Sequence, residues 1–289
     1  MNPPAAVNPA DEAQRQKAAR FRALHHQKEA FILPNPWDAG SARLLAHAGF
    51  AALATTSMGH AFSQGVVDYA LGRDRTLAYA AVIAAATELP VSADLENGFG
   101  DAPEAAAETI RLAAAAGVAG GSIEDSTGDP DHPIYPLELA VERVRAAAEA
   151  ARAVPSGFTL TARAENYLHG RPDLADTIRR LQAYQAAGAD VLYAPGLKTR
   201  DEIAAVVRSL DRPVNVLAGL TGPALSSAEL SALGVKRISL GSTLYRTAMG
   251  AFLRAIREMA ESGTFTFAAE AATPREVAPM LAPPGGDRR

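Results

Sequence analysis

The stretch Val91-Ser92-Ala93-Asp94-Leu95-Glu96-Asn97-Gly98-Phe99-Gly100 follows Leu89-Pro90 and precedes a helical run. It reads as a buried strand that delivers two carboxylates, Asp94 and Glu96, at its C-terminal end. Residues two apart on a strand share a face, so these two side chains are expected to point the same way. A second strand ending at Ile123-Glu124-Asp125 brings a third carboxylate alongside. Converging acidic oxygens need a cation to hold them together. The chain has no cysteine, so oxygen ligands favour a hard ion, Mg²⁺ or Mn²⁺. Taken singly, each acid reads equally well as a helix N-cap or a solvated loop residue; the set points to a metal site.

Outward from this stretch the chain repeats one unit from Phe31 onward: a short β-rich run, a loop, an Ala-rich helix and a glycine before the next run. The helix stops are Ala48-Gly49-Phe50, Ala116-Gly117-Val118, Ala187-Gly188-Ala189 and Leu233-Gly234-Val235. Each glycine suits the left-handed position that follows a helix. Eight strands are expected, near 31–34, 51–56, 91–96, 120–125, 158–163, 190–195, 213–218 and 237–241. Strands alternating with helices imply a parallel sheet, and eight such units predict an α/β fold, a closed (β/α)₈ TIM-type barrel. A doubly wound open sheet is the competing architecture, but no Gly-x-Gly-x-x-Gly follows the first strand. Residues 1–30 are read as an N-terminal tail and helix, 31–262 as the barrel and 263–289 as a C-terminal tail. Residues 1–10 read as a disordered lead-in and Asp11 to about Lys28 as a polar helix. His25 and His26 point to different faces of that helix and are read as surface residues. The final helix, Thr243 to about Ser262, is amphipathic and is expected to pack on the outside. The Pro- and Gly-containing tail beyond it, with Pro283-Pro284-Gly285-Gly286, is expected to cross to a partner subunit or to be partly disordered.

At 289 residues and 48% hydrophobic the chain is long enough for one barrel-sized core. Its net charge of −4, without a basic cluster interleaved with aromatics, argues against a nucleic-acid partner. No apolar run approaches a membrane span and no signal-peptide core opens the sequence, so a cytoplasmic protein is expected. The absence of cysteine rules out disulfides and a thiol catalyst.

In a barrel of this kind the C-terminal strand ends carry the chemistry. Here they read Trp37-Asp38, Thr55-Thr56-Ser57-Met58-Gly59, Asp94 and Glu96, Glu124-Asp125, Arg163 with Glu165-Asn166, Tyr193, Asn215, and Gly241-Ser242. The set resembles the isocitrate lyase and phosphoenolpyruvate mutase superfamily from about Phe31 to Glu261. The likeness rests on several pieces in one order: Trp37 to Arg43, Thr55-Thr56-Ser57, Gly65-Val66-Val67-Asp68, Asp94 to Gly100, Gly120 to Asp125, and Thr161 to Glu165. The resemblance implies Mg²⁺ bound directly by Asp94 and through water by Glu96 and Glu124, where Glu96 stands in place of the family's usual Asp. Which of Glu96 and Asp125 partners the metal better stays open. The resemblance further implies that backbone groups around Ser57 and Met58, with Thr56, receive a substrate carboxylate, and that Asp68 organises the metal waters. Asn215 is placed with the substrate-binding residues. Arg163 resembles the arginine that contacts a substrate carboxylate or oxyanion, for which its planar fork is suited. The structural alternative is an internal salt bridge to Glu165 or Glu124. A homotetramer or homodimer is implied, with the last helix against a neighbouring barrel.

One departure bears on the reaction. Lyases of this superfamily carry a catalytic cysteine in the loop after Glu-Asp, and phosphonomutases place a lysine directly after it. Here the loop runs Ser126-Thr127-Gly128-Asp129-Pro130-Asp131-His132-Pro133-Ile134-Tyr135-Pro136. It holds neither. His132 is the candidate proton donor, because an unperturbed imidazole titrates near neutrality; Tyr135 and Tyr193 are weaker ones. The first expectation is an Mg²⁺-dependent lyase that acts on a small 2-oxo acid through an enolate, most simply by decarboxylating oxaloacetate, since water can protonate the enolpyruvate. The second is C–C cleavage of a methylisocitrate- or malate-like acid. The third is a non-catalytic protein that binds 2-oxo acids.

Overall fold

Gly49, Gly117, Gly188 and Gly234 all adopt positive φ, from 86° to 110°, in the computed structural model, which describes residues 9–220 and 222–281. A Cβ is strained in that region, so helices stop at these points and the chain turns into the next run. The strands are β1 (Phe31–Leu33), β2 (Leu53–Ala54), β3 (Val91–Asp94), β4 (Gly120–Glu124), β5 (Thr159–Arg163), β6 (Val191–Tyr193), β7 (Val214–Leu217) and β8 (Arg237–Ser239). All are parallel and pair in the order β1-β8-β7-β6-β5-β4-β3-β2. Pairing of the first strand with the last excludes the open doubly wound sheet. The result is the expected (β/α)₈ barrel, nearly closed. At the seam, the Ala54 N–H donates to the Pro34 carbonyl at 3.0 Å. β2 is shorter than its 51–56 expectation because it forms a ladder on one side only.

The helices are α1 (Pro9–Leu24), α2 (Ala39–His47), α3 (Ser57–Ser63), α4 (Gly72–Ala86), α5 (Pro103–Ala115), α6 (Leu137–Arg152), α7 (Leu174–Ala187), α8 (Arg200–Arg208), α9 (Ser227–Ala232), α10 (Thr243–Ser262) and α11 (Pro274–Leu281). Strand alternation divides each β-run between two environments. Ile123, Leu160, Ala162, Leu192, Val216 and Ile238 join the main apolar core with the helices. Each fully buried Leu or Ile contributes roughly 1.5–3 kcal/mol. Ser122, Glu124, Arg163, Tyr193, Asn215, Arg237 and Ser239 face the barrel interior, where they line a cavity. The same two-residue period that builds the core therefore aims the polar residues at one place.

α1 closes the opposite end. Gln14 Nε2 donates to the Val118 carbonyl at 3.1 Å, Lys17 Nζ to Thr87 at 2.9 Å and Arg20 to Glu88 at 2.7 Å, all just ahead of β3 or β4. Its Phe21 is fully buried with Leu24, Phe31, Leu33 and Ala119. Gly120 permits this closeness, since a Cβ there would lie 2.6 Å from the Thr159 carbonyl and 2.9 Å from the Phe21 ring. His26 is exposed as expected, but His25 is not a surface residue. Just past the end of α1 it turns inward, edge-on to Phe21 and Phe31 at 4.9 and 5.0 Å, with its Nδ1 2.9 Å from the Phe21 carbonyl.

Burial, then the charge of Arg237, holds the His25 imidazole down to about 3 from its ordinary 6.5. The unfolded chain takes up a proton near pH 6.5 that the folded chain refuses until about pH 3. Stability from this group is complete above pH 6.5 and falls by about 1.4 kcal/mol per pH unit below it. In urea titrations at pH 7.5 and pH 5, His25→Gln is expected to flatten that loss. Equal losses in both proteins would assign the acid sensitivity elsewhere.

The final helix has the expected amphipathic pattern, but Phe252, Leu253, Ile256 and Met259 form a stripe on α10 that is exposed in the single chain. Most of the expected N-terminal lead-in, and Pro283 to Gly286, lie outside the described residues. Among those described, no helix is long and apolar enough to cross a membrane.

Candidate active site

β3, β4 and β5 end side by side, and their last inward residues are Asp94, Glu124 and Arg163. The Arg163 fork uses all three of its nitrogens. Nη1 meets Asp94 Oδ1 at 3.0 Å, Nη2 meets Glu124 Oε2 at 3.1 Å, and Nε donates to Glu165 Oε1 at 2.8 Å. Both internal salt bridges considered as the structural alternative are thus present, together with one to Asp94. Asp94 and Glu124 are also held from a second side. The Ser57 N–H donates to Asp94 Oδ2 at 3.3 Å, and the Tyr69 hydroxyl donates to Glu124 Oε1. The Glu165 N–H donates to Asp125 Oδ1 at 2.8 Å.

These groups line a cavity of ≈ 410 Å³ at the C-terminal strand ends, a size suited to a small ligand. Thr56, Ser57 and Met58 are on its wall. Thr56 caps α3, its Oγ1 accepting from the Gly59 N–H at 3.2 Å. Asp68 is also on the wall, and burial, then the Asp94 charge, pushes its carboxyl up. Asn215 lies on the far side, where its Nδ2 donates to Ser239 Oγ and its Oδ1 accepts from Arg237 Nε, both at 2.9 Å. Arg163, Asp68, Asp94, Glu124, Thr56, Ser57, Met58 and Asn215 are therefore brought together.

Glu96 and His132 are not on that wall. β3 ends at Asp94, and Glu96 adopts a left-handed φ of 49°, so the alternation that was to align it with Asp94 stops two residues short of it. It nevertheless feels the same charges: burial, then Asp94 and Asp68, pushes its carboxyl up to about 8. His132 has a side chain 86% exposed and sits 3.3 Å from Asp129 in its own loop. Tyr135 is buried behind the loop, donating to Asp101 Oδ1 at 2.6 Å with the Arg143 guanidinium 4.4 Å over its ring. Asp125 is also engaged elsewhere. Its Oδ2 accepts from Arg180 Nη1 at 3.1 Å and from the Tyr184 hydroxyl at 2.5 Å, so neither oxygen faces the cavity unpaired. Of Glu96 and Asp125, Glu96 is the acid left without a hydrogen-bonded cation.

Sequence reasoning did not select Tyr69, His169, Arg237 or Arg246, all of which line the cavity. Arg237 had a signal: in Arg237-Ile238-Ser239 the two polar residues share one face of a strand whose middle residue is apolar. Tyr69 had none, because its placement depends on a left-handed φ of 64° at a non-glycine residue.

Residues 21–260 match the phosphoenolpyruvate phosphomutase family. The chain belongs to this family. A solved structure from Burkholderia cenocepacia J2315, described only as a lyase/mutase, is 62% identical with a TM-score of 0.92 and covers 94% of this chain and 98% of its own. The oxaloacetate decarboxylase of Chromohalobacter salexigens is 30% identical over 245 residues, 82% of this chain and 83% of that protein. The solved structure of a 2,3-dimethylmalate lyase is 26% identical with a TM-score of 0.80, covering 92% of this chain and 95% of that one. The expected superfamily membership is borne out.

Proposed function

We propose that this chain is a lyase for a small 2-oxo dicarboxylate, and that its reaction is the decarboxylation of oxaloacetate. The observation that carries the reading is the imbalance of charge around Arg163. Five carboxyl groups, of Asp68, Asp94, Glu96, Glu124 and Glu165, interact with that one guanidinium. Burial pushes Glu124 and Glu165 up despite Arg163, as it does Asp68 and Glu96. Among the described residues no group of three or more His, Cys, Asp or Glu side chains is placed to hold a metal ion as it stands, Asp94 and Glu124 being paired with Arg163 instead. The donor set is nonetheless all hard oxygen with surplus negative charge, which fits Mg²⁺ or Mn²⁺. Asp94 and Glu124, with Asp68 and Glu96, would hold it. When bound, such an ion supplies Lewis-acid charge to the oxygens of a 2-oxo acid.

The chain's own residues do the rest. The polar wall at Thr56, Ser57 and Met58 receives the C1 carboxylate. Arg163 places fixed positive charge beside the keto oxygen, where negative charge develops. The C3–C4 bond breaks, CO₂ leaves, and the electron pair remains as the enolate. Water then adds a proton at C3 to give pyruvate. This step needs no thiol and no loop acid, which agrees with the outward position of His132. Likeness to the 2,3-dimethylmalate lyase favours a second reading, cleavage of a C–C bond in a substituted malate-like acid. That reaction needs a proton-transfer group in the cavity, and Tyr69, His169 and Tyr193 are among its lining residues.

The test follows oxaloacetate, methylisocitrate and phosphonopyruvate by NMR in the presence of Mg²⁺. Pyruvate is expected from oxaloacetate faster than Mg²⁺ alone releases it. Asp94→Ala is expected to lower that rate about a hundredfold or more, beyond the roughly 10–100-fold that loss of an outer partner of a metal site costs. His132→Ala should stay within about tenfold, below the roughly hundredfold or more that a positioned acid contributes. Untouched oxaloacetate ends the decarboxylase reading; cleavage of methylisocitrate selects the second, and silence on all three leaves a binding protein.

A further inference from the structure

We propose that Arg237 is the recognition site for a second carboxylate of the substrate, an inference that rests on reading the cavity as a 2-oxo acid site. Arg237 begins β8 and points into the barrel, where it lines the same cavity as Arg163 while being only 3% exposed. Buried charges are as a rule paired, because an uncompensated one is costly. Arg237 is not. Among the described residues no carboxylate lies within 4.0 Å of it, its Nε is bonded to the neutral Asn215, and its Nη1 is buried with no hydrogen-bond partner. Burial, and the repulsion of Arg163, hold its pKa down to about 10, as suits a cation without an anion beside it.

The register explains how this cation relates to the acids. Glu124 pairs with Arg163, Arg163 with Tyr193, Tyr193 with Asn215, and Asn215 with Arg237, so these five form one continuous row around the barrel interior. Tyr193 and Asn215 stand between the two guanidinium groups. At one end of the row Arg163 is surrounded by acids; at the other Arg237 has none. Ser239, the next inward residue on β8, accepts from Asn215. Arg246 of α10 lines the cavity too, and among the described residues it has no ion-pair partner. The cavity is thus bipolar. A monocarboxylate, or oxalate with both of its adjoining carboxylates at the acidic, metal-competent end, leaves Arg237 unpaired, whereas a longer 2-oxo diacid supplies the missing anion through a charge-assisted bond.

Isothermal titration in Mg²⁺ with oxalate, 2-oxopentanoate and 2-oxoglutarate tests this. The two oxo acids share a five-carbon chain and differ in the second carboxylate. The wild-type protein is expected to bind 2-oxoglutarate at least about tenfold more tightly than 2-oxopentanoate. Arg237→Gln should reduce that preference below about twofold while leaving oxalate within about twofold. A preference that survives Arg237→Gln overturns the proposal, as does a wild-type preference under about threefold when oxalate binds. If Arg237→Gln does not fold, the wild-type ratio and Arg237→Lys decide, the lysine keeping charge but not the fork. Stabilisation of the wild-type protein but not the variant by KCl over potassium gluconate, without any diacid preference, would assign Arg237 to a halide. Failure of all three acids to bind the wild-type protein removes the 2-oxo acid reading itself, an outcome separate from loss of the diacid preference.

Discussion

Arg163→Met is expected to destabilise the chain by about 3–5 kcal/mol and to lower kcat/KM at least about a thousandfold. The stability loss follows from what the substitution leaves behind. Asp94, Glu124 and Glu165 each lose a contact of 3.1 Å or less to the one guanidinium, and the side chains of Glu124 and Glu165 are only 2% exposed. Carboxylates stranded there either repel one another or take up protons, and both outcomes weaken the fold. The activity loss follows from removing fixed positive charge at the site of the developing oxyanion. Arg163→Lys should fall between, since an ammonium keeps the charge but cannot reach three acids from a planar fork. Urea titrations with and without Mg²⁺ add a readout independent of turnover. If the freed acids take a divalent ion, Mg²⁺ will restore more stability to Arg163→Met than it adds to the wild-type protein, by linkage. An Mg²⁺ effect no larger in the variant than in the wild type would count against a cation among these acids.

The same alternation that made Asp94, Glu124 and Arg163 legible in the sequence explains where legibility ended. A residue that closes a strand inherits its direction from the residues before it, and β3, β4 and β5 close on these three. Glu96 lies two residues beyond the end of β3, in a left-handed conformation that periodicity does not encode. The fold itself was readable because four glycines mark the helix stops and each needs only a local backbone argument. His132 was chosen for its chemistry, but loop composition carries no information on direction, and its nearest partner proved to be Asp129, three residues away in the same loop. His25 failed for a related reason: its neighbour His26 obeys the polar-helix pattern, while His25 fills a gap between Phe21 and Phe31 that only the closed barrel creates. Tyr69 depends on tertiary placement in the same way, whereas Arg237 was signalled by the polar-apolar-polar pattern of β8. The resemblance to a family supplied Asp68, which no strand pattern would have placed at the cavity.

Asp125→Ala is expected to reduce stability by about 3–5 kcal/mol and to impair turnover, although Asp125 does not line the cavity. Asp125 is 4% exposed and ties three elements together: Arg180 and Tyr184 on α7, and the backbone that follows β5 through the Glu165 N–H. Removing the carboxylate leaves the Tyr184 hydroxyl and the Glu165 amide without acceptors in a buried place, at about 1–3 kcal/mol for each unsatisfied group. Arg180 keeps a second acid, Asp176 Oδ2 at 2.8 Å from its Nε, so its charge is not wholly stranded. The effect on chemistry passes through Glu165. That residue braces the Nε side of Arg163, and a looser Glu165 lets the fork turn away from Asp94 and Glu124. Asp125 touches no substrate in this account, so the loss should appear in kcat more than in KM for a ligand seated on the other side of Arg163. Asp125→Asn retains an oxygen for the Glu165 N–H but presents an amide to two donors, and about 1–2 kcal/mol is expected. Urea midpoints and steady-state kinetics on both variants separate the cases. Stability unchanged within about 0.5 kcal/mol in Asp125→Ala would mean that the buried pair is replaced by water at no loss, and that α7 is not what holds Arg163 in place.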